Sequence, residues 1–387
     1  MTDSNIVTCP ITKLKPGQFV VEITKQTGNH KIQDIGWVRD KKAIAQLIEN
    51  GILEVKVDTD KSLSLTPSAD ELKPTASPLF DELPLAKKIL AELTDELTHA
   101  FTLLRQGNTF DLASLQILSN KFVNSCFRNS TAMLSLIYSN RYNDYQIGHA
   151  LRAGVYLSIC LKTLNWQVER VNCWVIGAFL HDIGKLALPM PIQQEHLIKT
   201  ITNEKKRALL ASEHIERGLL FADEIAGLST EAIELIKMHH EKIDGSGFPT
   251  GEAITEMNEA VRLFSILNEL ETLTQSNLEQ PRIDTEQAFR YLLTQEKSFD
   301  FQILQYVIKT IGIYPPGSLV ILSSQKVAIV LDTLGSSLKP RVKLIYNLLS
   351  KQHIPTKIIN LSASSNNEKI IALYEGSDLG NVSEQYL

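Results

Sequence analysis

The chain has 387 residues, 43% hydrophobic and 21% charged, and its 39 Lys and Arg against 44 Asp and Glu give a formal net charge of −5. This length is enough for two or three buried cores, and the composition excludes a disordered or fibrous chain. The weak acidic balance excludes a general electrostatic footprint for nucleic acid or an anionic membrane, so an anionic ligand has to be held by local groups.

The first residues, Met1-Thr2-Asp3-Ser4-Asn5, carry no basic segment followed by an apolar one, so no secretory signal is expected. No apolar run reaches the roughly 18 residues that a membrane span needs. Cys9, Cys126, Cys160 and Cys173 show no CxxC spacing and read as reduced thiols of a cytoplasmic protein.

Residues 1–60 read as a small α+β module. Residues 18–23 and 52–57 alternate apolar and polar positions and are rich in β-branched side chains, which predicts strands. Between them, Ala43, Ile44, Leu47 and Ile48 fall at helical spacing, with Gly51 as the stop. Residues 61–84, rich in Ser, Thr, Pro and Asp, read as a linker.

From Leu85 the positions Ala86, Ile89, Leu90, Leu93 and Leu97 form an apolar stripe, which opens a helical connector over 85–136. Helical patterns continue to about Ile311. After Gly312-Ile313-Tyr314-Pro315-Pro316-Gly317, residues 318–322 and 326–331 flank a polar turn and predict a β-hairpin. Residues 341–345 and 368–374 are further strand candidates in an otherwise polar tail over 346–387. The expected fold class is mainly α, with an all-helical domain over 137–345 that follows the α+β module and ends in the hairpin.

Five of the nine histidines, His149, His181, His214, His239 and His240, lie in that one helical segment. Asp182 follows His181 directly, and Glu241 follows His240. Imidazole nitrogens together with a carboxylate able to bridge are the donors of a divalent-metal centre. Between two such ions a water loses a proton near neutral pH and becomes a bridging hydroxide nucleophile, while the ions stabilise charge on a phosphoryl oxygen. A single His on a helix is more often merely exposed or satisfied, and His30, His99, His196 and His353 take that reading. An isolated His-Asp or His-His pair is weak evidence too; the ordered set within one helical segment carries the argument.

The motifs resemble a known family. His181-Asp182-Ile183-Gly184-Lys185 is similar to the HDIGK signature of HD-domain phosphohydrolases, and 239–249, HHEKIDGSGFP, is similar to the HHE..DG.GYP signature of the HD-GYP subfamily. Gly312 to Val330 resembles the segment that closes such domains. Residues 6–58 resemble the small domain of unknown function often found in front of them. The resemblance implies a metal-dependent phosphodiesterase acting on the bacterial second messenger cyclic di-GMP. It implies two divalent ions, iron or manganese, held by His149, His181, Asp182, His214, His239 and His240, with Asp182 as the bridge. It also implies that Lys185 contacts the substrate phosphate, one turn after His181 on the same face if the helix continues there.

Three positions depart from the family pattern. Phe248 replaces the tyrosine of the third signature. Asn268 stands where the last ligand, an Asp, is expected, and Asn277 where an arginine is expected. Tyr145, four residues before His149, stands where some relatives carry a Glu for a third metal. Asn268 and Asn277 motivate a second reading, a receptor for cyclic di-GMP or a protein-interaction domain without catalysis. A general HD phosphohydrolase for another nucleotide is disfavoured by the GSGFP segment. A protein partner is expected, if at all, at the N-terminal module or at Gly247-Phe248-Pro249.

Overall fold

The computed structural model describes residues 6–14, 18–27, 36–38, 41–58, 76–139, 142, 144–188, 204–251, 253, 257–275, 283–332, 338–363 and 367–374. The chain divides into two compact units, residues 1–73 and 74–387.

The first unit holds strands β1 (Ile6–Pro10), β2 (Phe19–Gln26), β3 (Gly36–Trp37) and β4 (Ile52–Asp58), with helix α1 (Lys41–Glu49) between β3 and β4. The strands form one antiparallel sheet in the order β1-β4-β2-β3. The strands and their flanking turns converge on a small core of Ile11, Leu14, Val20, Val38, Ile52, Val55 and Val57, against which Ile44 and Leu47 of α1 pack. Among the described residues, no group with metal-binding geometry falls in this unit.

The second unit begins with α2 (Leu79–Arg105), α3 (Leu112–Arg128), α4 (Ser130–Ser139), α5 (Tyr145–Thr163) and α6 (Val168–Leu180). A 3-10 turn (Ile183–Ala187) follows, then α7 (Glu204–Glu224), α8 (Thr230–Met238), α9 (Glu259–Thr274), α10 (Thr285–Thr294) and α11 (Phe301–Ile311). Side-chain oxygens fix several of the starts by accepting backbone N–H bonds: Asp111 for α3, Asp144 for α5, Ser229 for α8 and Asn258 for α9. Helix α5 is buried all round from Gln146 to Leu161, which makes it the central helix of the unit. It packs against α3, α6, α9 and α11.

Helix α2 starts earlier than its stripe suggests, at Leu79 rather than Leu85. Pro84 forfeits one helical hydrogen bond, which masks the start in the sequence. Asp81 and Glu82 in the first turn favour the helix dipole. Glu82 is further held by Ser125 Oγ at 2.6 Å and Arg128 Nη2 at 2.7 Å, a tie that anchors the first turn to α3.

The C-terminal hairpin is present as β5 (Leu319–Leu322) and β6 (Lys326–Asp332), and it belongs to a larger antiparallel sheet. With β7 (Arg341–Asn347), β8 (Gln352–Asn360) and β9 (Ile370–Leu373) the order is β8-β7-β6-β5-β9. Strand β8 lies in what the sequence reads as polar tail. It is an edge strand, the one place in a sheet where a residue such as Pro355 costs no ladder bond.

Candidate metal centre

The sequence places His181 and Lys185 on one continuing helix, but α6 ends at Leu180. His181 caps it, Asp182 leaves the helical region at φ −102° and ψ 11°, and the chain tightens into the 3-10 turn. In that geometry residues three apart eclipse one another. Lys185 is therefore carried back over Asp182, with Nζ 2.6 Å from Asp182 Oδ2.

Four helices or their ends converge here. Helix α5 brings His149, the end of α6 brings His181 and Asp182, α7 brings His214, and the end of α8 brings His239 and His240. All six side chains fall into two groups that share Asp182: His149, His181 and Asp182, and Asp182, His214, His239 and His240. Within each group the donor atoms lie within 4.8 Å of one another. Asp182 Oδ2 is 3.5 Å from His149 Nε2 and 3.4 Å from His181 Nε2. Its other oxygen, Oδ1, is 3.6 Å from both His214 Nε2 and His239 Nε2.

The outward nitrogens of three rings fix the tautomers. His181 Nδ1 faces the carbonyl of Ala178 at 2.8 Å, and His239 Nδ1 faces that of Ile236 at 3.0 Å. His149 Nδ1 meets the carboxylate of Glu271. These oxygens only accept, so each Nδ1 carries the proton and each Nε2 turns its lone pair inward. Yet His149 Nε2 and His181 Nε2 stand 3.0 Å apart. Such a contact requires a positive centre, either a proton or a metal cation. Asp182 Oδ1 and His240 Nε2 are buried without a hydrogen-bond partner among the described residues. Orphaned acceptors of this kind around facing imidazoles fit a site for cations.

The electrostatics agree. Burial drives His181 down to about 4 and pushes His214 and His240 well below the ordinary imidazole value, so these rings are neutral at neutral pH, the form in which an imidazole can bind a cation. Burial works against the charged form of Asp182, but Lys185 and His181 outweigh it and hold the carboxyl well below its usual range. Burial likewise opposes a charge on His149, but Glu271 outweighs it and raises its pKa.

Asn268 is buried on α9, and its Oδ1 has no hydrogen-bond partner among the described residues. Four residues before it, Phe264 sets its ring 5.1 Å from that of His181, edge to face. Three residues after it, Glu271 holds His149. Residues at these spacings share a helix face, so Asn268 lies on the stripe that borders the His149–His181 group. Asn277 lies outside the described residues, as do His30 and His196, whereas His99 and His353 are exposed. Tyr145 stacks on His149 with ring centroids 5.8 Å apart.

The loop after α8 is tied to the same centre. Glu241, fully buried, accepts from Thr250 N and Thr250 Oγ1, both at 2.7 Å. The carbonyl of His240 accepts from Phe248 N at 3.3 Å. Phe248 thereby stacks on His240, with centroids 4.4 Å apart and planes 25° apart. The ring alone makes this contact, so it survives the loss of the tyrosine hydroxyl.

Sequence reasoning gave no role to two buried residues, Glu271 and Arg152. They bond one another, Arg152 Nε to Glu271 Oε1 at 2.6 Å, behind His149. Their signal was one of spacing: Arg152 falls three residues after His149 on α5, and Glu271 three after Asn268 on α9.

Residues 139–303 match the HD domain family, and residues 6–115 match a domain of unknown function, DUF3391. The chain is 26% identical over 378 residues to cyclic di-GMP phosphodiesterase PA4108 of Pseudomonas aeruginosa, covering 94% of this chain and 90% of that protein. It is 26% identical over 147 residues to the 3'3'-cGAMP-specific phosphodiesterase 1 of Vibrio cholerae, covering 38% of this chain and 33% of that one. In fold it resembles Bd1817, an HDG"Y"P protein from Bdellovibrio bacteriovorus, with a TM-score of 0.50 at 16% identity over 79% of this chain and 99% of that chain.

Proposed function

We propose that the chain, whose residues 139–303 match the HD domain family, is a metal-dependent phosphodiesterase that hydrolyses cyclic di-GMP, as its 26% identical relative from Pseudomonas aeruginosa is named to do. The observation that carries this reading is the division of Asp182, with one oxygen facing His149 and His181 and the other facing His214 and His239. A carboxylate shared in this way fits a bridge between two divalent ions, iron or manganese, completed by His240 and by Asn268 as a neutral donor. Two ions would supply an acidified water for attack on phosphorus and positive charge for the phosphoryl oxygens.

The remaining work belongs to the chain's own side chains. His181 and His239 present Nε2 because backbone carbonyls hold their Nδ1 protons. Asp182 and Lys185 are the catalytic pair in this reading. Asp182 orients the two groups, and Lys185, held 2.6 Å from Asp182, places an ammonium where a substrate phosphate would arrive. The stacked Phe248 and the buried Glu241 hold the loop that shields His240 from water. Among the described residues no helix is long and apolar enough to cross a membrane, and the proposed location is the cytoplasm. A protein partner would meet the N-terminal module or the Gly247-Phe248-Pro249 segment.

Asn268 favours a second reading, a receptor that binds cyclic di-GMP without cutting it, because an amide attracts a cation less than a carboxylate does. One experiment separates the two. Purified protein is loaded with manganese or iron, its metal content is measured, and cyclic di-GMP is added with the products resolved by chromatography. About two ions per chain with conversion to the linear dinucleotide or to GMP support the enzyme. Tight binding of intact cyclic di-GMP without any product supports the receptor instead.

A further inference from the structure

Behind His149, on the side away from Asp182, lies a pair of buried charges that the proposed chemistry does not itself use. Glu271 is fully buried on α9. One of its oxygens accepts the Nδ1 proton of His149 and the other accepts from Arg152 Nε at 2.6 Å. Arg152 is itself buried on α5, one turn after His149. A carboxylate so placed does two things to an imidazole: it locks the ring so that Nε2 points inward, and it increases the electron density on that nitrogen.

The neighbouring position gives this arrangement its importance. Asn268, one turn before Glu271 on the same helix face, is neutral and buried. Among the described residues, the His149–His181 side of the centre therefore has Asp182 as its one anionic donor, shared with the other side. We propose that Glu271, oriented by Arg152, is a positioning residue that presents His149 to the ion on this side and supplies, through the ring, negative charge that Asn268 does not. Glu271 has no direct place in the ligand set, because both of its oxygens are engaged. Arg152 keeps it from turning toward the ions. The inference rests on the reading of the two groups as a paired metal centre.

The test is cobalt(II) titration of the metal-free full-length chain, followed by visible absorption and by calorimetry. Removing Glu271 alone strands Arg152 in the interior, so the informative variant is Glu271→Gln combined with Arg152→Met. This pair removes both charges at nearly constant volume. Glu271→Gln alone is measured beside it.

The wild type is expected to take up two equivalents. In the double variant one equivalent weakens by about 10- to 100-fold with an altered absorption band, while the other keeps its affinity. The proposal is overturned if both equivalents keep wild-type affinity and spectrum, whatever happens to the melting temperature, for that pattern marks a purely structural pair. A wild type that binds no cobalt overturns the paired metal centre, and this inference with it. If the double variant does not fold, the result with Glu271→Gln alone decides by the same two criteria.

Discussion

Gly184 lies against the main chain of His214: a Cβ added to it would sit 1.7 Å from the His214 carbonyl oxygen and 2.5 Å from Gly218 N. The glycine of the His-Asp-Ile-Gly-Lys run is therefore a matter of close approach. It lets the 3-10 turn that follows Asp182 press onto α7 at the residue that faces Asp182 from the other side. Both obstructing atoms are backbone, so neither can move aside cheaply.

Gly184→Ala is thus expected to separate His214 from Asp182 by a shift on the order of 1 Å. Overpacking of this kind costs about 1–3 kcal/mol of stability, and a misplacement of that size costs about 100-fold in rate. Urea denaturation and the phosphodiesterase assay check both effects. Wild-type activity in Gly184→Ala would mean that the contact does not set the centre.

Because Asp182 belongs to both groups and His240 to one, their removal should differ in kind. Asp182→Ala is expected to weaken both metal equivalents by more than the roughly 100-fold that loss of an outer partner brings, and to abolish hydrolysis. His240→Ala is expected to weaken one equivalent and spare the other. Stoichiometry by elemental analysis after dialysis distinguishes them, and equal loss in the two variants would contradict the shared-bridge arrangement.

Much of this centre was legible because its donors carry chemistry in their residue types. Five histidines and an aspartate in one helical segment point to metal whatever their exact placement. The helix across 181–185 was not legible, because helical periodicity cannot register a break enforced by the packing of Gly184 on α7. Glu271 and Arg152 escaped notice for a related reason: their partners lie on another helix, and only the fold brings α5 and α9 together. Pro84 hid the start of α2, and Pro355 with a weak alternation hid β8, where tertiary contacts override local preference.

Away from the centre, Glu82 supports a prediction about pH. It is buried at the start of α2, and Arg128 and Ser125 satisfy its oxygens. Burial pushes its pKa up, but these partners outweigh burial and hold it below the ordinary carboxylate value. A group whose folded pKa is depressed stabilises the fold fully above its unfolded value, near about 4.3 for Glu. That contribution is lost as pH falls through the folded value. Glu82→Gln is therefore expected to cost about 3 kcal/mol at pH 7, the low end for breaking a buried pair, because Arg128 keeps 24% of its side chain in water. The gap between variant and wild type should narrow at strongly acidic pH. Urea melts across the acid range test this, and a constant gap would refute the assignment.

Asn268 yields the prediction that separates enzyme from receptor most directly. Its buried Oδ1 has no hydrogen-bond partner among the described residues, and it shares a helix face with Phe264, which packs on His181, and with Glu271, which holds His149. Asn268→Asp adds a charge at constant size on that face. In the metal-free protein a buried carboxylate without a cation is unfavourable, so the apo variant should melt below wild type. With metal the sign reverses, because a full negative charge attracts a cation more strongly than an amide dipole does. Affinity on the His149–His181 side should rise by about 10-fold, the lower end of what changes around a metal ligand bring. By linkage, the metal-loaded variant should melt above wild type. Hydrolysis of cyclic di-GMP should rise in parallel if the wild type is an enzyme limited by weak metal binding. A variant that gains metal affinity but still leaves cyclic di-GMP intact would identify the chain as a receptor, and one that gains neither would remove Asn268 from the centre.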